Sequence, residues 1–187
     1  TLLLLHGTGG TERDLLPLAA EIDSSANVLS VRGNVLENGM SRFFRRLAEG
    51  IFDEEDLIFR TKELNEFLDE AAEKYEFDRT NILALGYSNG ANIAASLLFH
   101  YSNALSGAIL HHPMVPVRGI TLPDLTDTPI FISAGTNDPI CPSKESEELY
   151  ALDIYNNIER LGNYIMTSFI MQVLNDKYTE ENNLNKG

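Results

Sequence analysis

The sequence predicts an α/β protein, a three-layer α/β/α sandwich around a mostly parallel sheet. Three observations carry this. Short apolar runs recur, among them Leu2 to Leu5, Ile82 to Leu85, Gly107 to Leu110 and Pro129 to Ala134. Continuous rather than alternating apolar runs suit strands covered on both faces. Segments with a helical period lie between them, and glycine-rich turns follow several of them, which is the strand–helix alternation of parallel sheets.

Composition narrows the class. The chain has 187 residues and is 43% hydrophobic, enough for one domain with a substantial core. No apolar run reaches the length of a membrane span, so no membrane insertion is expected. A formal charge of −14 argues against nucleic acid and anionic membranes as partners. The single cysteine, Cys141, excludes an internal disulfide and fits a reducing, cytoplasmic setting. The first residues lack a basic leader and a small-residue cleavage site, so they do not read as a signal peptide.

In order, Leu2 to Leu5 reads as a buried strand that starts abruptly, so the natural protein is expected to begin earlier, with another strand or two. His6-Gly7-Thr8-Gly9-Gly10 follows. Glycines after a strand let the chain turn sharply and leave amides facing a ligand. The Thr8 amide is the expected donor; a plain glycine-rich turn is the alternative. A dinucleotide-binding loop is a weaker one, because no Gly-x-Gly-x-x-Gly is present. His6 reads as a structural histidine hydrogen-bonded within the loop.

Glu12 to Ile22 is expected to be helical and Asn27 to Val31 a strand. Arg32 to Asp53 reads as long and irregular. Such loops are often functional, and this one follows a strand's C-terminal end. Met40, Phe43 and Phe44 could line a substrate pocket there, or the Phe pair could be packed core. Glu54 to Tyr75 is a long amphipathic helix with Leu57, Leu64, Leu68, Ala71 and Tyr75 on the apolar face. Ala91 to Tyr101 is apolar nearly all round, as a central helix should be. His100 at its far end suits the helix C-terminus rather than catalysis.

The centre of the sequence is Asn81-Ile82-Leu83-Ala84-Leu85-Gly86-Tyr87-Ser88-Asn89-Gly90-Ala91-Asn92. An apolar run ends in Gly-x-Ser-x-Gly and a helix-forming run begins at once, the pattern of a nucleophile elbow. Gly86 and Gly90 give room where strand and helix pass closely. Ser88 is the expected nucleophile, and the Asn89 amide, at a helix N-terminus, an expected oxyanion donor. An ordinary strand-to-helix turn is the bland alternative.

Gly107 to Leu110 is a further strand, ending in His111-His112-Pro113-Met114. Either imidazole could approach Ser88 from there. After a loop at Pro123 to Thr128, the strand at Pro129 to Gly135 leads to Thr136-Asn137-Asp138-Pro139. An acid past a strand, after the serine in sequence, can orient a catalytic histidine, so Asp138 is expected in that role. Its alternative is an Asx-turn aspartate before proline. Cys141 has no base paired with it in the sequence and reads as packing.

Together, His6-Gly7-Thr8-Gly9-Gly10, Gly86-Tyr87-Ser88-Asn89-Gly90-Ala91-Asn92 and Gly135-Thr136-Asn137-Asp138-Pro139 resemble the phospholipase/carboxylesterase branch of the α/β-hydrolases, closest to its small bacterial esterases. Arg32-Gly33-Asn34 also looks like that group. The resemblance covers Leu2 to about Ala151. It implies a serine hydrolase of small carboxylic esters without metal or cofactor, with Ser88 attacking the carbonyl, the Thr8 and Asn89 amides holding the oxyanion and Asp138 orienting a histidine. The family alone makes a homodimer an option.

One departure stands out. The family's histidine follows the aspartate, in a Gly-His loop before the last helix, whereas this chain's four histidines, at 6, 100, 111 and 112, all precede Asp138. Residues 1–151 therefore read as the α/β-hydrolase core. Residues 152–187 read as an atypical tail in place of the usual last strand, histidine loop and helix. Gly162-Asn163 stands where a Gly-His would be sought, but a neutral asparagine is no general base. Three accounts follow, in order of preference: an altered gene end that impairs the enzyme, a non-catalytic ligand-binding relative, or His111 or His112 as a stand-in base. An acyl-thioesterase or lysophospholipase is the other alternative.

Overall fold

The computed structural model describes residues 1–135 and 142–156. Asp138, Cys141 and Gly162-Asn163 lie outside the described residues.

A five-stranded sheet forms the centre: β1 (Leu2–Leu5), β2 (Val28–Val31), β7 (Leu83–Tyr87), β8 (Gly107–His111) and β9 (Ile130–Ser133), in the order β2-β1-β7-β8-β9. Every pairing in it is parallel. Leu5 pairs with Val31 on one side and with Gly86 on the other.

Strand alternation divides the sheet into two faces. Leu3, Leu5, Ala84, Ala108 and Leu110 belong to one large core cluster. That cluster includes residues of three helices: α2 (Glu54–Tyr75), α3 (Asn89–His100) and α4 (Ser143–Asn156). Leu2, Leu4, Leu85 and Ile109 point the opposite way and are also buried. The connection from β1 to β2 runs through α1 (Leu16–Ile22), in the direction opposite to that from β7 to β8 through α3. Right-handed crossovers therefore put α1 and α3 on opposite faces, giving three layers. The reversal of strand order falls between β1 and β7, and a crevice at the C-terminal ends of those strands is where such sheets bind ligands.

Several elements differ from the expectations above. The first helix is shorter than Glu12 to Ile22. Thr11 and Asp14 close a turn on each other through side-chain hydrogen bonds, and Pro17, which suits a first helical turn, opens the helix. The segment from Arg32 to Asp53 is not irregular. It forms two hairpins, β3 (Val35–Glu37) with β4 (Met40–Arg42), and β5 (Arg46–Ala48) with β6 (Ile51–Phe52). Gly39 and Gly50 turn them at φ of 81° and 73°. Phe43 and Phe44, between the hairpins, are packed core with exposures of 6% and 0%.

Helix α2 begins and ends at the expected residues. Asp53 caps it by accepting from the Asp56 amide, and Glu76 ends it in the left-handed region at φ 56°. Leu57, Leu64, Leu68 and Ala71 are buried as the period requires, but Tyr75 is exposed because the last turn runs past the core. Helix α4 was not legible beforehand. Its sequence has no apolar stripe, although Leu149 and Leu152 pack on the core. No described helix is long and apolar enough to cross a membrane.

Candidate active site

At the switch point, β7 passes directly into α3. The residue between them, Ser88, has φ 50° and ψ −112°, outside the regions open to most side chains. Strain at such a turn persists only where packing enforces it. Here the enforcement is visible. A Cβ on Gly90 would lie 2.0 Å from the Leu5 carbonyl oxygen, and one on Gly86 would lie 2.7 Å from the Ala91 Cα. Helix α3 thus starts against the end of β1, which only glycine allows. The Ser88 side chain makes no capping bond to the helix, and the residue is half-buried.

The loop after β1 meets this turn. A Cβ on Gly7 would come within 2.6 Å of the Tyr87 ring, so the two loops are in contact. In that loop the Gly9 amide donates to the Ser41 carbonyl at 2.9 Å and the Gly10 amide to Gly7 at 3.0 Å. No such bond from the Thr8 amide is found among the described residues. The Asn89 amide, at the first position of α3, has no intrahelical partner by geometry. The structure therefore brings Thr8, Ser88 and Asn89 to one sheet edge.

His6 is 2% exposed and fully used: its Nδ1 donates to the Gly7 carbonyl at 2.6 Å, and its Nε2 accepts from the Gly33 amide at 3.0 Å. Its hydrogen bonds reach beyond its own loop to the segment after β2. The pair also defines its neutral tautomer, protonated on Nδ1. His100 lies at the far end of α3, with its Nδ1 donating to the Ser96 carbonyl at 2.8 Å.

His111 and His112 leave the C-terminal end of β8, the strand next to β7. Their rings meet edge-on at 4.3 Å, and His111 stacks on Tyr87 at 5.2 Å. The Nδ1 of His111 is 2.5 Å from the Ser133 hydroxyl. His112 has φ 52° and lies against Gly135, just past the end of β9. These residues share the Ser88 edge of the sheet.

Two features were missed in the sequence. One is Arg42, 3% exposed, whose Nη1 donates to the Thr8 hydroxyl at 2.7 Å and whose Nε donates to the Phe44 carbonyl at 3.1 Å. Burial weakens its hold on its proton, the nearby Arg46 adds to that, and Glu37 opposes both. The other is the paired asparagines of α3. Asn89 Oδ1 accepts from the Phe43 amide, and Asn92 Oδ1 from the Met114 amide, each at 2.7 Å. Both are buried within the turn that carries Ser88. The motif contains both asparagines, but nothing in it says which distant amides they meet. Among the described residues no cluster of three metal-ligating side chains exists.

The model of the phospholipase/carboxylesterase family matches residues 1–169. The chain belongs to that family. It is 66% identical over 149 residues to MhqD of Bacillus subtilis, provisionally named a hydrolase, with 80% of this chain and 74% of that protein covered. A crystal structure of a Bacillus cereus carboxylesterase superposes with a TM-score of 0.84 at 67% identity, over 92% of this chain and 86% of the other. A Mesorhizobium loti carboxylesterase gives 0.79 at 29% identity, over 83% and 74%. This family member has the α/β-hydrolase fold and is, by family, a carboxylic ester hydrolase.

Proposed function

We propose that the chain acts on small carboxylic esters through Ser88 as nucleophile. The Ser88 oxygen attacks the ester carbonyl, and the negative charge that develops on the carbonyl oxygen is met by the amides of Thr8 and Asn89. Collapse of the tetrahedral species expels the alcohol and leaves an acyl-serine, which water then cleaves. Asp138 orients the proton acceptor. The observation that carries this reading is the backbone of Ser88, strained at the junction of β7 and α3, directly after Tyr87, whose ring touches Gly7 of the loop that carries Thr8. An ordinary helix N-terminus needs no such strain.

The proton acceptor is the weak point of the machinery. His6 and His100 are committed to the backbone bonds given above. His111 and His112 share the edge with Ser88 and are the stand-in candidates. An acceptor outside its proper position leaves serine poorly activated, and loss of a triad member costs about three orders of magnitude or more. We therefore propose a reduced rate for the 187-residue chain. The same weakness is the ground for the second reading, a relative that binds ligand without turnover.

The test is p-nitrophenyl acetate hydrolysis together with labelling by a fluorophosphonate, on wild type, Ser88→Ala, His111→Ala and His112→Ala. The expected result is labelling at Ser88 with slow turnover, both lost in Ser88→Ala, a further fall in turnover in whichever histidine variant removes the stand-in base, and a rate raised by added imidazole in every variant that keeps Ser88. Saturable binding of the ester with neither labelling nor turnover supports the binding-protein reading. Equal turnover in wild type and Ser88→Ala removes the serine mechanism.

A further inference from the structure

We propose that Arg42 is a positioning residue that sets the spacing of the two oxyanion amides. The inference rests on the reading of Thr8 and Asn89 as those donors. A guanidinium removed from water is costly unless its donors are met. At 3% exposure, Arg42 meets the Phe44 carbonyl, pairs with Glu37 at 3.3 Å and lies 5.8 Å from the Phe44 ring. Those contacts stay within its own stretch of chain. Its remaining bond does not: it runs to the Thr8 hydroxyl, 34 residues away in sequence.

Thr8 itself is exposed, and the hydrogen bond its hydroxyl accepts from Arg42 ties its side chain to β4. Next to it, the Gly9 amide is held by the Ser41 carbonyl. Consecutive residues of β4 thus grip consecutive residues of the loop after β1, and the Thr8 amide is left out of the grip. The residue after Arg42 makes the matching contact on the other side, since the Phe43 amide donates to Asn89 Oδ1 at 2.7 Å. The dipeptide Arg42-Phe43 therefore touches the Thr8 side chain with one residue and the Asn89 side chain with the next. It is a short covalent bridge between the residues that carry the two donors.

The bridge is fixed from behind. A Cβ on Gly33 would lie 2.3 Å from the Arg42 carbonyl group and 2.7 Å from the Phe43 nitrogen, so the strand end after β2 presses on the same dipeptide. Gly33 in turn donates to His6. Each donor loop is held to Arg42-Phe43, not only to its own strand.

The experiment follows fluorophosphonate capture of Ser88 in the full chain, resolved into saturation (KI) and chemical step (kinact), with amide hydrogen exchange at Gly9 measured alongside. Variants are Arg42→Met, Arg42→Lys and Thr8→Val, the last because it removes the hydroxyl while keeping the backbone amide and the shape. Thr8→Val and Arg42→Met are expected to lower kinact about tenfold or more with KI within about twofold, because a donor displaced by part of an ångström is largely lost to the transition state. Gly9 exchange should quicken in both. Arg42→Lys, whose ammonium can still reach the Thr8 hydroxyl, should recover part of the loss. A folded Thr8→Val captured at the wild-type kinact, with Gly9 exchange unchanged, overturns the proposal. So does an Arg42→Met defect that appears only as a general loss of protection. If wild type is not captured at Ser88, the nucleophile reading fails by itself. The Gly9 exchange of Thr8→Val then still decides whether Arg42 holds the loop.

Discussion

The α-carbon of Gly90 faces the Leu5 carbonyl so closely that a methyl group there would sit 2.0 Å from the oxygen. The clash would be with backbone, which cannot rotate away. Gly90→Ala must therefore push α3 off the end of β1 or prevent folding. We expect a loss of about 3 kcal/mol or more, the upper end for overpacking. Urea unfolding followed by circular dichroism measures it. A variant within about 0.5 kcal/mol of wild type, the range of neutral surface changes, would mean that the helix start has slack the structure does not show.

Ser88 pays for its position with backbone strain. At φ 50° and ψ −112°, glycine is at ease and alanine is not. Ser88→Gly and Ser88→Ala both remove the hydroxyl, so their difference isolates the strain. Ser88→Gly is expected to be about 1 kcal/mol more stable than Ser88→Ala, after allowing for the greater freedom of unfolded glycine. The thermal midpoints of the two variants measure the difference. Equal midpoints would show that the turn is relaxed.

The parallel strands were legible in the sequence because each is a short run with both faces covered, such as Leu2 to Leu5 and Ile82 to Leu85. Helix α2 was legible because its stripe and the acidic residues at its start agree. The strand–turn–helix around Ser88 could be read from Gly86 and Gly90, which have no other use. The hairpins could not be read. Their strands are two or three residues long, too short for alternation to stand out, and much of their outer surface is apolar, as Leu36 and Leu47 show. Arg42 was invisible for a different reason. An arginine near a phenylalanine pair reads as surface, and only the fold shows that Thr8 waits opposite it. The residue after Ser88 carries the same lesson, since its side chain serves a backbone amide 46 positions earlier.

Asn89 makes that dependence testable. Its Oδ1 takes the Phe43 amide, while its Nδ2 is buried and has no partner among the described residues. Replacing it with alanine leaves its backbone amide in place and strands the Phe43 N–H. A buried donor left unmet costs about 1–3 kcal/mol. Asn89→Ala should lose stability in that range, with faster amide exchange concentrated at Phe43 and its neighbours. Exchange at Phe43 as slow as in wild type would mean that another acceptor takes over.

Glu37 gives the fold an acid-sensitive joint. It accepts from Arg46 Nε at 2.9 and 3.1 Å and faces Arg42 at 3.3 Å. The hydrogen bond from Arg46 does most to hold its carboxyl below the ordinary 4.5; partial burial works the other way, and the charges of Arg42 and Arg46 add to the lowering. A carboxyl with a depressed value in the folded protein stabilises it fully above the unfolded value, and loses that contribution as pH falls through the folded value. The stabilisation should therefore be intact at neutral pH and disappear below 4.5. Glu37→Gln removes the titration. Its urea midpoint should lie below that of wild type at pH 7, and the gap should narrow as the pH is lowered below 4.5, where other carboxylates still weaken both proteins alike. Two curves that stay parallel across that range would show that Glu37 does not couple the hairpin to pH. A gap that narrows would place the coupling in the hairpin that carries Arg42, beside the loop of Thr8.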